Sequence, residues 1–373
     1  MILVDDAGGI LPAINHSPWN GATLADFVMP FFLFIVGLSL GLAYKKASCR
    51  VLATKKATLR AVKLFFLGLL LQGGYFHGLN DLTYGVNLEY IRWMGILQRI
   101  AIAYLLAALC EIWLKTDDIV DSQLSLFNKY RFQWFVVIML TAIYGSLLYG
   151  LYVPDWKFQI PTESLSRVYS VKCGVRGDIG PACNAVGMID RTVLGSKHLY
   201  RRPVYGRTEQ CSISSPDYGP LPQDAPSWCQ APFDPEGLLS SVMAIVTCLI
   251  GLHFGHIIIH FKNHKNRILL WVGTASGLVA LGFILDLSGM HINKALYSVS
   301  YACVTAGAAG LLFAATYILV DVCGYRRPTL VLEWMGMHAL MIYILAACNL
   351  LPIVLQGFYW KKPENNILRF VGI

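Results

Sequence analysis

Residues 24–44 read LADFVMPFFLFIVGLSLGLAY, a nearly unbroken apolar block of the length that crosses a bilayer as a helix. Similar blocks recur along the 373-residue chain. We predict full spans at about 24–44, 58–78, 94–114, 132–153, 237–260, 267–287, 295–320 and 329–350. The blocks lack the alternating polarity of a β-barrel, and helices satisfy their own backbone groups in lipid. The sequence therefore predicts an all-α membrane protein, a polytopic helical bundle of about eight full spans.

Residues 1–13 are also apolar, but they are too short to span and they contain Asp5 and Asp6. We interpret them as the second half of a transmembrane helix, so that an N-terminal half-span precedes the eight full spans. We also expect that the chain is truncated at both ends.

Composition points to the membrane and away from nucleic acid. Hydrophobic residues make up 56% of the chain and charged residues 14%, against roughly 25% charged in ordinary soluble domains. The mean hydropathy is +0.54. The net charge of +8 does not indicate a nucleic-acid partner, because the basic residues lie between apolar blocks, where membrane topology places them.

The distribution of Lys and Arg gives the orientation. Fifteen of these residues fall in the loop after the first span and in alternate loops: Lys45, Lys46, Arg50, Lys55, Lys56, Arg60, Lys63, Lys115, Lys129, Arg131, Lys262, Lys265, Arg267, Arg326 and Arg327. The opposite short segments carry four: Arg92, Lys294, Lys361 and Lys362. The positive-inside rule places the fifteen in the cytosol, so residues 7–23 and 154–236 are predicted to be lumenal.

The long segment 154–236, here called the disulfide segment, supports that orientation. It is rich in Pro and Gly and contains Cys173, Cys183, Cys211 and Cys229. Four cysteines in one non-cytosolic loop predict two disulfides, with three possible connectivities. We accordingly divide the chain into N-terminal transmembrane helices (1–153), the disulfide segment and C-terminal transmembrane helices (237–373).

The densest cluster of candidate functional residues is NHSPWNGAT at 15–23, the loop that leads into the first full span. His16 belongs to the residue type that exchanges protons near neutral pH and can accept an acyl group. The plainer interpretation is a polar loop residue at a membrane interface. Asp26 also has a structural explanation, because Thr23 can cap the helix with Asp26 at the third position of a capping box.

Other ionisable residues lie inside apolar segments, where they are costly and usually functional. Asp5 or Asp6 could orient His16 or hold an incoming amine, and an exposed helix end is the alternative. Gln98 and Arg99 lie about one turn into the third predicted span. There the arginine could pair with Asp26 or Asp5 or bind a phosphate, and we favour a buried polar network.

Four histidines share one face of a helix: His253, His256, His260 and His264. A transmembrane haem or metal site is one interpretation. We favour a basic interfacial helix end, because no second histidine pair lies at a matching depth on another predicted helix.

Two stretches, one in the middle of the disulfide segment and one at its end, have ordinary structural explanations. Asp190-Arg191 is most simply a salt bridge, and His198 an exposed histidine. The stretch FDPEG at 233–237 opens a span with proline and acids in its first turn, as helices commonly start.

Taken together, these stretches resemble the heparan-α-glucosaminide N-acetyltransferase family, in particular its shorter homologues without a large lumenal N-terminal domain. The resemblance covers nearly the whole chain and rests on several motifs in the same order. They are NHSPWNG (15–21), LADFVMP (24–30), GILQR (95–99), IDR (189–191), GSKHLY (195–200), DPEG (234–237) and INK (292–294).

The resemblance implies an enzyme that uses acetyl-CoA as co-substrate, without a metal, and acetylates a terminal glucosamine of heparan sulfate in the lysosomal lumen. It implies that His16 is the active-site histidine, and it places Asp5 where human-like members carry a functional asparagine. Our catalytic candidates are therefore His16, Asp5 and Asp26. Our candidates for binding substrate or cofactor are Asn15, Asn20, Gln98, Arg99, Asp190 and Arg191.

Several alternatives stay open. The sequence does not choose between direct transfer and an acetyl-histidine intermediate, and the compartment could be lysosomal, vacuolar or another endomembrane. Similar proteins imply a homodimer, with the lipid bilayer, acetyl-CoA and an amino sugar as further partners. The first rival function is a transporter of a small anion or sugar, and the second is a haem-bearing electron carrier that uses the histidine face.

Overall fold

The computed structural model describes residues 14–45, 49–72, 88–116, 120, 122–160 and 167–347. Its long helices are α1 (Leu24–Ala43), α2 (Arg50–Leu71), α3 (Ile96–Trp113), α5 (Arg131–Gly150), α7 (Leu238–His260), α8 (His264–Leu287) and α9 (Val299–Tyr317), which a π-helical turn at Ile318–Val322 continues. The shorter helices are α4 (Gln123–Lys129), α6 (Ala185–Val193), α10 (Leu330–Met337) and α11 (Ala339–Ala347). Single 3₁₀ turns lie at Leu88–Tyr90, Ser196–His198, Val204–Arg207, Ser227–Gln230 and Arg327–Thr329.

Six of the described helices are long and apolar enough to cross a membrane: α1, α3, α5, α7, α8 and α9 with its π-helical turn. They begin and end within four residues of six predicted spans. The prediction of eight is not met in the described part of the chain. At the predicted span 58–78 the described chain has α2, which begins at Arg50 and carries Lys55, Lys56 and Arg60 in its first half, so it is not among the six. The span at 329–350 is replaced by α10 and α11, which are separated at His338.

The predicted half-span at 1–13 lies outside the described residues. Within the described bundle, α7 is the central helix, because 78% of its most apolar stretch is buried. Only 17% is buried in α5 and in α8. Their outward faces carry large apolar side chains such as Phe135, Ile138, Phe283 and Ile284. An outer surface of this kind suits lipid contact, since only internally satisfied helices can face hydrocarbon.

Helices α1 and α7 approach closely through glycines spaced four residues apart. Gly37 and Gly41 on α1 face Gly251 and Gly255 on α7. A Cβ added at Gly37 would lie 1.8 Å from the Cys248 carbonyl oxygen. Small residues at this spacing let two helix backbones pack in direct contact, as is common for helices in membranes.

The disulfide segment folds against one end of the bundle. Strand β1 (Tyr152–Val153) pairs antiparallel with β4 (Val175–Arg176), and β2 (Trp156–Ile160) pairs antiparallel with β3 (Arg167–Val171). In the second pair, Trp156 lies opposite Val171 and Phe158 opposite Tyr169. The two predicted disulfides are confirmed, and they join neighbours in sequence: Cys173–Cys183 and Cys211–Cys229.

Replacing Gly251 with alanine is expected to destabilise the protein, because the added Cβ would lie 2.0 Å from the Phe34 carbonyl oxygen of α1. Overpacking of this kind costs about 1–3 kcal/mol, so the Tm in detergent should fall by several degrees. Gly145→Ala is the matched control, since nothing lies within 4 Å of the Cβ it would add on α5. The same Tm for both variants would contradict the close contact of α1 with α7.

Candidate active site

Asp26, in the first turn of α1, is completely buried and has partners on both carboxylate oxygens. Its Oδ2 accepts hydrogen bonds from the backbone N–H groups of Ser17, at 3.1 Å, and Thr23, at 3.0 Å. The bond from Thr23 belongs to the predicted capping box, which is present. Oδ1 has two basic neighbours: His16 Nδ1 at 2.6 Å and Lys294 Nζ at 3.2 Å. Asp26 therefore both starts the helix and gathers two basic side chains.

His16 is oriented by Asp26 while part of its ring remains accessible. The side chain of His16 is 33% exposed, against 0% for that of Asp26. The backbone N–H of His16 donates to the side-chain oxygen of Asn15 at 2.8 Å. A proton on Nδ1 that is donated to the carboxylate leaves a lone pair on Nε2. This arrangement suits a general base or a nucleophile.

Lys294 completes the site, although the sequence analysis did not select it. Its Nζ lies 2.8 Å from Nδ1 and 3.3 Å from Nε2 of His16. His16 Nδ1 cannot donate to Asp26 and accept from Lys294 at once, so the three groups share their protons among competing arrangements. Burial lowers the pKa of the Lys294 ammonium, against the opposing effect of the Asp26 and Glu236 carboxylates.

Asn20 holds together the two loops that carry the site. Asn293 Nδ2 donates to Asn20 Oδ1 at 3.3 Å, and the Gly21 N–H donates to the Ile292 carbonyl at 2.7 Å. Gly21 has a φ of +94°, a backbone conformation that favours glycine. The residue after Asn293 is the site lysine, so this loop contact brings it to His16.

Asn15 and Trp19 tie the same loop to the disulfide segment. Asn15 Nδ2 donates to Asp217 Oδ1 at 2.7 Å, and the Trp19 indole N–H donates to the Ile179 carbonyl at 3.1 Å. The Trp19 ring also meets Tyr205 edge-on, with the centroids 5.9 Å apart. Asn15 thus lies next to His16 as a structural link, and a binding role for it stays a prediction.

Arg99 lies in a buried polar network at the junction of α3 and α7. Its Nη2 donates to the Pro235 carbonyl at 2.6 Å and to Ser240 Oγ at 2.5 Å, and its guanidinium lies 5.3 Å from the centroid of the Tyr297 ring. Neither of these hydrogen bonds goes to Asp26, the pairing that the sequence left open. The neighbouring Gln98 is also buried. Contact of either residue with a ligand stays a prediction.

Asp190 and Arg191 do not form the predicted salt bridge, although the structure describes both side chains. Asp190 Oδ1 instead accepts from the Leu238 N–H at 2.8 Å, and its buried Oδ2 has no hydrogen-bond partner. Arg191 lies 3.7 Å from the centroid of the Trp156 ring. Burial raises the pKa of Asp190 to about 7 and lowers that of Arg191 to about 10. Asp190 therefore caps α7 at an electrostatic cost.

A second buried ion cluster also escaped the sequence analysis. Arg92 Nε and Nη2 donate to the two oxygens of Asp234, at 2.8 and 2.5 Å, and Nη2 also donates to Glu236. Asp234 is completely buried. The DPEG motif indicated the two acids, but only the fold supplies their arginine. Because Glu236 acts electrostatically on Lys294, this cluster contributes to the charge balance of the site.

The histidine face lies toward the other end of α7, and our interpretation of it as a basic interfacial end is wrong for His256. That residue is completely buried, and its Nε2 lies 2.8 Å from the buried Glu111 carboxylate. Tyr130 stacks on its ring at 3.5 Å. The cavity lined by His253 and His256 measures about 10 Å³, room for about one water and not for a haem.

The remaining catalytic candidate, Asp5, lies outside the described residues, as does Asp6. Over the ranges that the structure covers, no group of three or more His, Cys, Asp and Glu side chains is placed to hold a metal ion. The acid–base groups that the structure does bring together are His16, Asp26 and Lys294.

The fold and the site define a helical bundle whose described part contains six candidate membrane spans, with a histidine–aspartate–lysine centre at the end covered by the disulfide segment. Comparison with known proteins finds similarity to the same family that the sequence motifs resemble. The family model described as "Heparan-alpha-glucosaminide N-acetyltransferase, catalytic" matches residues 5–127, a range that includes His16 and Asp26.

Two curated relatives carry the name heparan-alpha-glucosaminide N-acetyltransferase. The Mus musculus protein is 29% identical over 371 residues, which cover 92% of this chain and 50% of the relative. The Homo sapiens protein is 27% identical over 390 residues, with 98% and 53% covered. The chain therefore spans about half the length of the curated relatives it matches, and the predicted resemblance is confirmed.

Replacing Asp190 with asparagine is expected to flatten the pH dependence of stability. Because burial raises its pKa from 3.8 to about 7, the native state binds more protons than the unfolded state between these values. The free energy of unfolding contributed by Asp190 thus falls as pH rises from about 4 to about 7. Between about pH 5 and pH 8, the Tm should fall more steeply in the wild type than in Asp190→Asn.

The control for this comparison is Asp224→Asn, which changes an exposed aspartate of the disulfide segment. Its Tm should follow the wild-type slope. If the Tm of Asp190→Asn follows the wild-type slope as well, the pKa of Asp190 is not raised in the native protein.

Proposed function

We propose that the protein is an acetyltransferase that moves the acetyl group of acetyl-CoA to the amine of a terminal glucosamine-type sugar on the lumenal side of a membrane. The observation that carries the proposal is His16, a partly exposed imidazole oriented by a buried carboxylate. The names of the two relatives support an acetyl group as the group transferred, a nitrogen atom as its acceptor and a glucosaminide as the substrate class.

In a direct route, His16 acts as the general base. Its Nε2 takes a proton from the sugar ammonium, and the Asp26 carboxylate stabilises the imidazolium that results. The freed amine attacks the thioester carbonyl, so that a C–N bond forms and the C–S bond breaks. The leaving thiolate takes the proton from His16, and the new amide releases its extra proton to water.

In a two-step route, His16 acts as the nucleophile. Nε2 attacks the thioester carbonyl and holds the acetyl group, while the thiolate leaves and the charge on the ring is balanced by Asp26. The neutral sugar amine then attacks the acetyl carbon, and a C–N bond to the sugar forms as the C–N bond to His16 breaks. The proton that the new amide loses ends on the CoA thiolate, and the imidazole is restored. Both routes need Nδ1 held by a carboxylate and a ring that substrate can reach. Nδ1 lies 2.6 Å from Asp26 Oδ1, and the His16 side chain is 33% exposed.

The lumenal side is supported by charge and by sulfur chemistry. The cytosolic assignment of the basic loops places residues 7–23 and 154–236 on the other side. The disulfide segment contains two disulfides, which are typical of proteins in oxidising compartments. A lysosomal or vacuolar membrane and a homodimeric state follow from the resemblance alone, and they stay predictions.

Arg99 is our candidate for contact with an anionic part of a substrate. Its described hydrogen bonds go to neutral oxygens, and its buried Nε has no hydrogen-bond partner among the described groups. A guanidinium without a direct carboxylate partner suits a phosphate or a sugar carboxylate.

Replacing His16 with alanine is expected to lower acetyl transfer by at least about 100-fold, because the base or nucleophile is removed. The assay follows labelled acetyl from acetyl-CoA to glucosamine with the protein in proteoliposomes. His291→Ala is the matched control, since this histidine is exposed and contacts Asp286 rather than the site. Transfer that survives in His16→Ala would remove His16 from the chemistry. A wild type that acetylates no amino sugar would contradict the proposed function and favour the transporter.

A further inference from the structure

We propose that Lys294 is itself an acetyl acceptor: when no amino sugar is bound, the acetyl group that reaches His16 is passed to Lys294 Nζ. This inference rests on the proposed acetyltransferase function, and it adds a modification site inside the active site.

The geometry supports the proposal first. Lys294 Nζ is a primary amine, the same functional group as the amine of a glucosamine acceptor. It lies 3.3 Å from His16 Nε2, so it is adjacent to the nitrogen that would carry or receive the acetyl group. Its ion pair with Asp26, at 3.2 Å, is also one that a bound sugar ammonium would make. Lys294 therefore occupies a position that suits an acceptor amine.

The electrostatics of the site also allow Lys294 to become a nucleophile. Only a neutral amine attacks a carbonyl carbon, and burial lowers the pKa of Lys294, although the Asp26 and Glu236 carboxylates oppose that effect. A route for its proton exists as well, because Nζ lies 2.8 Å from His16 Nδ1. When Nδ1 carries no proton, His16 can accept one there from Lys294, whereas a sugar ammonium would give its proton to Nε2.

The transfer balances without any further reactant. Lys294 Nζ attacks the acetyl carbonyl carbon and forms a C–N bond. The bond that breaks is the C–S bond of the thioester, or the C–N bond to His16 if that residue was acetylated first. The proton lost by the amine ends on the released thiolate or on the imidazole. The products are an acetylated lysine and free CoA thiol.

Acetylation would change the site, because an amide has no positive charge. Asp26 would then keep His16 as its one basic neighbour in the described part of the chain. The modified protein is therefore expected to acetylate sugar more slowly than the unmodified protein.

The test incubates the purified protein with isotopically labelled acetyl-CoA and no sugar, followed by digestion and mass spectrometry. Lys197 is the internal control, because it is 61% exposed and pairs with Glu89. The label on Lys294 should exceed that on Lys197 by at least about tenfold, as expected for a positioned amine. It should disappear in His16→Ala and decrease when glucosamine is added.

A second variant keeps the test independent of His16. Lys294→Arg retains a positive charge beside Asp26 but offers no amine that forms a stable acetyl product. Wild type without sugar should retain labelled acetyl that survives digestion and approaches one per protein, and Lys294→Arg should lose that label whichever route His16 takes.

The remaining outcomes separate the inference from the proposed function. Equal label on Lys197 and Lys294, or label that persists in His16→Ala, would show chemical acetylation and overturn the inference. An unlabelled Lys294 in a preparation that acetylates glucosamine would overturn it and leave the proposed function standing. A preparation that acetylates neither Lys294 nor glucosamine would overturn both.

Discussion

The carboxylate of Asp26 is the constraint on which the rest of the site depends. A buried carboxylate is costly unless hydrogen bonds and opposite charges surround it. Asp26 meets that requirement with the backbone N–H groups of Ser17 and Thr23 on one oxygen, and with His16 and Lys294 on the other. The loop before α1 must therefore fold back over the helix start. The contacts that stabilise the buried Asp26 carboxylate also orient the His16 imidazole and place it next to Lys294.

The bundle provides the place where these groups can meet. Glycines let α1 lie directly against the central helix α7. The loop before α1 and the start of α7 both contact the disulfide segment, through Trp19 and Leu238. The start of α7 is fixed by ion pairs from Arg92 and by hydrogen bonds from Arg99. The loop ahead of α9 then docks on Gly21 and delivers Lys294. Helix packing, loop pairing and charge balance thus all help to position His16, Asp26 and Lys294.

Much of this arrangement could be predicted from local sequence. Six of the eight predicted spans have matching helices in the described chain, and the cysteines predicted the two disulfides. The motif around His16 placed His16 and Asp26 in one loop–helix junction. The INK motif contains Lys294, but sequence alone could not assign Lys294 or Arg92 to an ion cluster, because their partners lie 278 and 142 residues away. It also mistook His256 for an interfacial residue, since the Glu111 partner lies 145 residues away. Long-range ion pairs leave no periodic signal, whereas spans and caps do.

The most direct test of the account is a double-mutant cycle on acetyl transfer with Asp26→Asn, His16→Ala and the two combined. If Asp26 acts by orienting His16, the two changes remove one unit, and the double variant should be no slower than His16→Ala alone. A double variant slowed by the product of the two single effects would contradict the account, since Asp26 and His16 would then act independently.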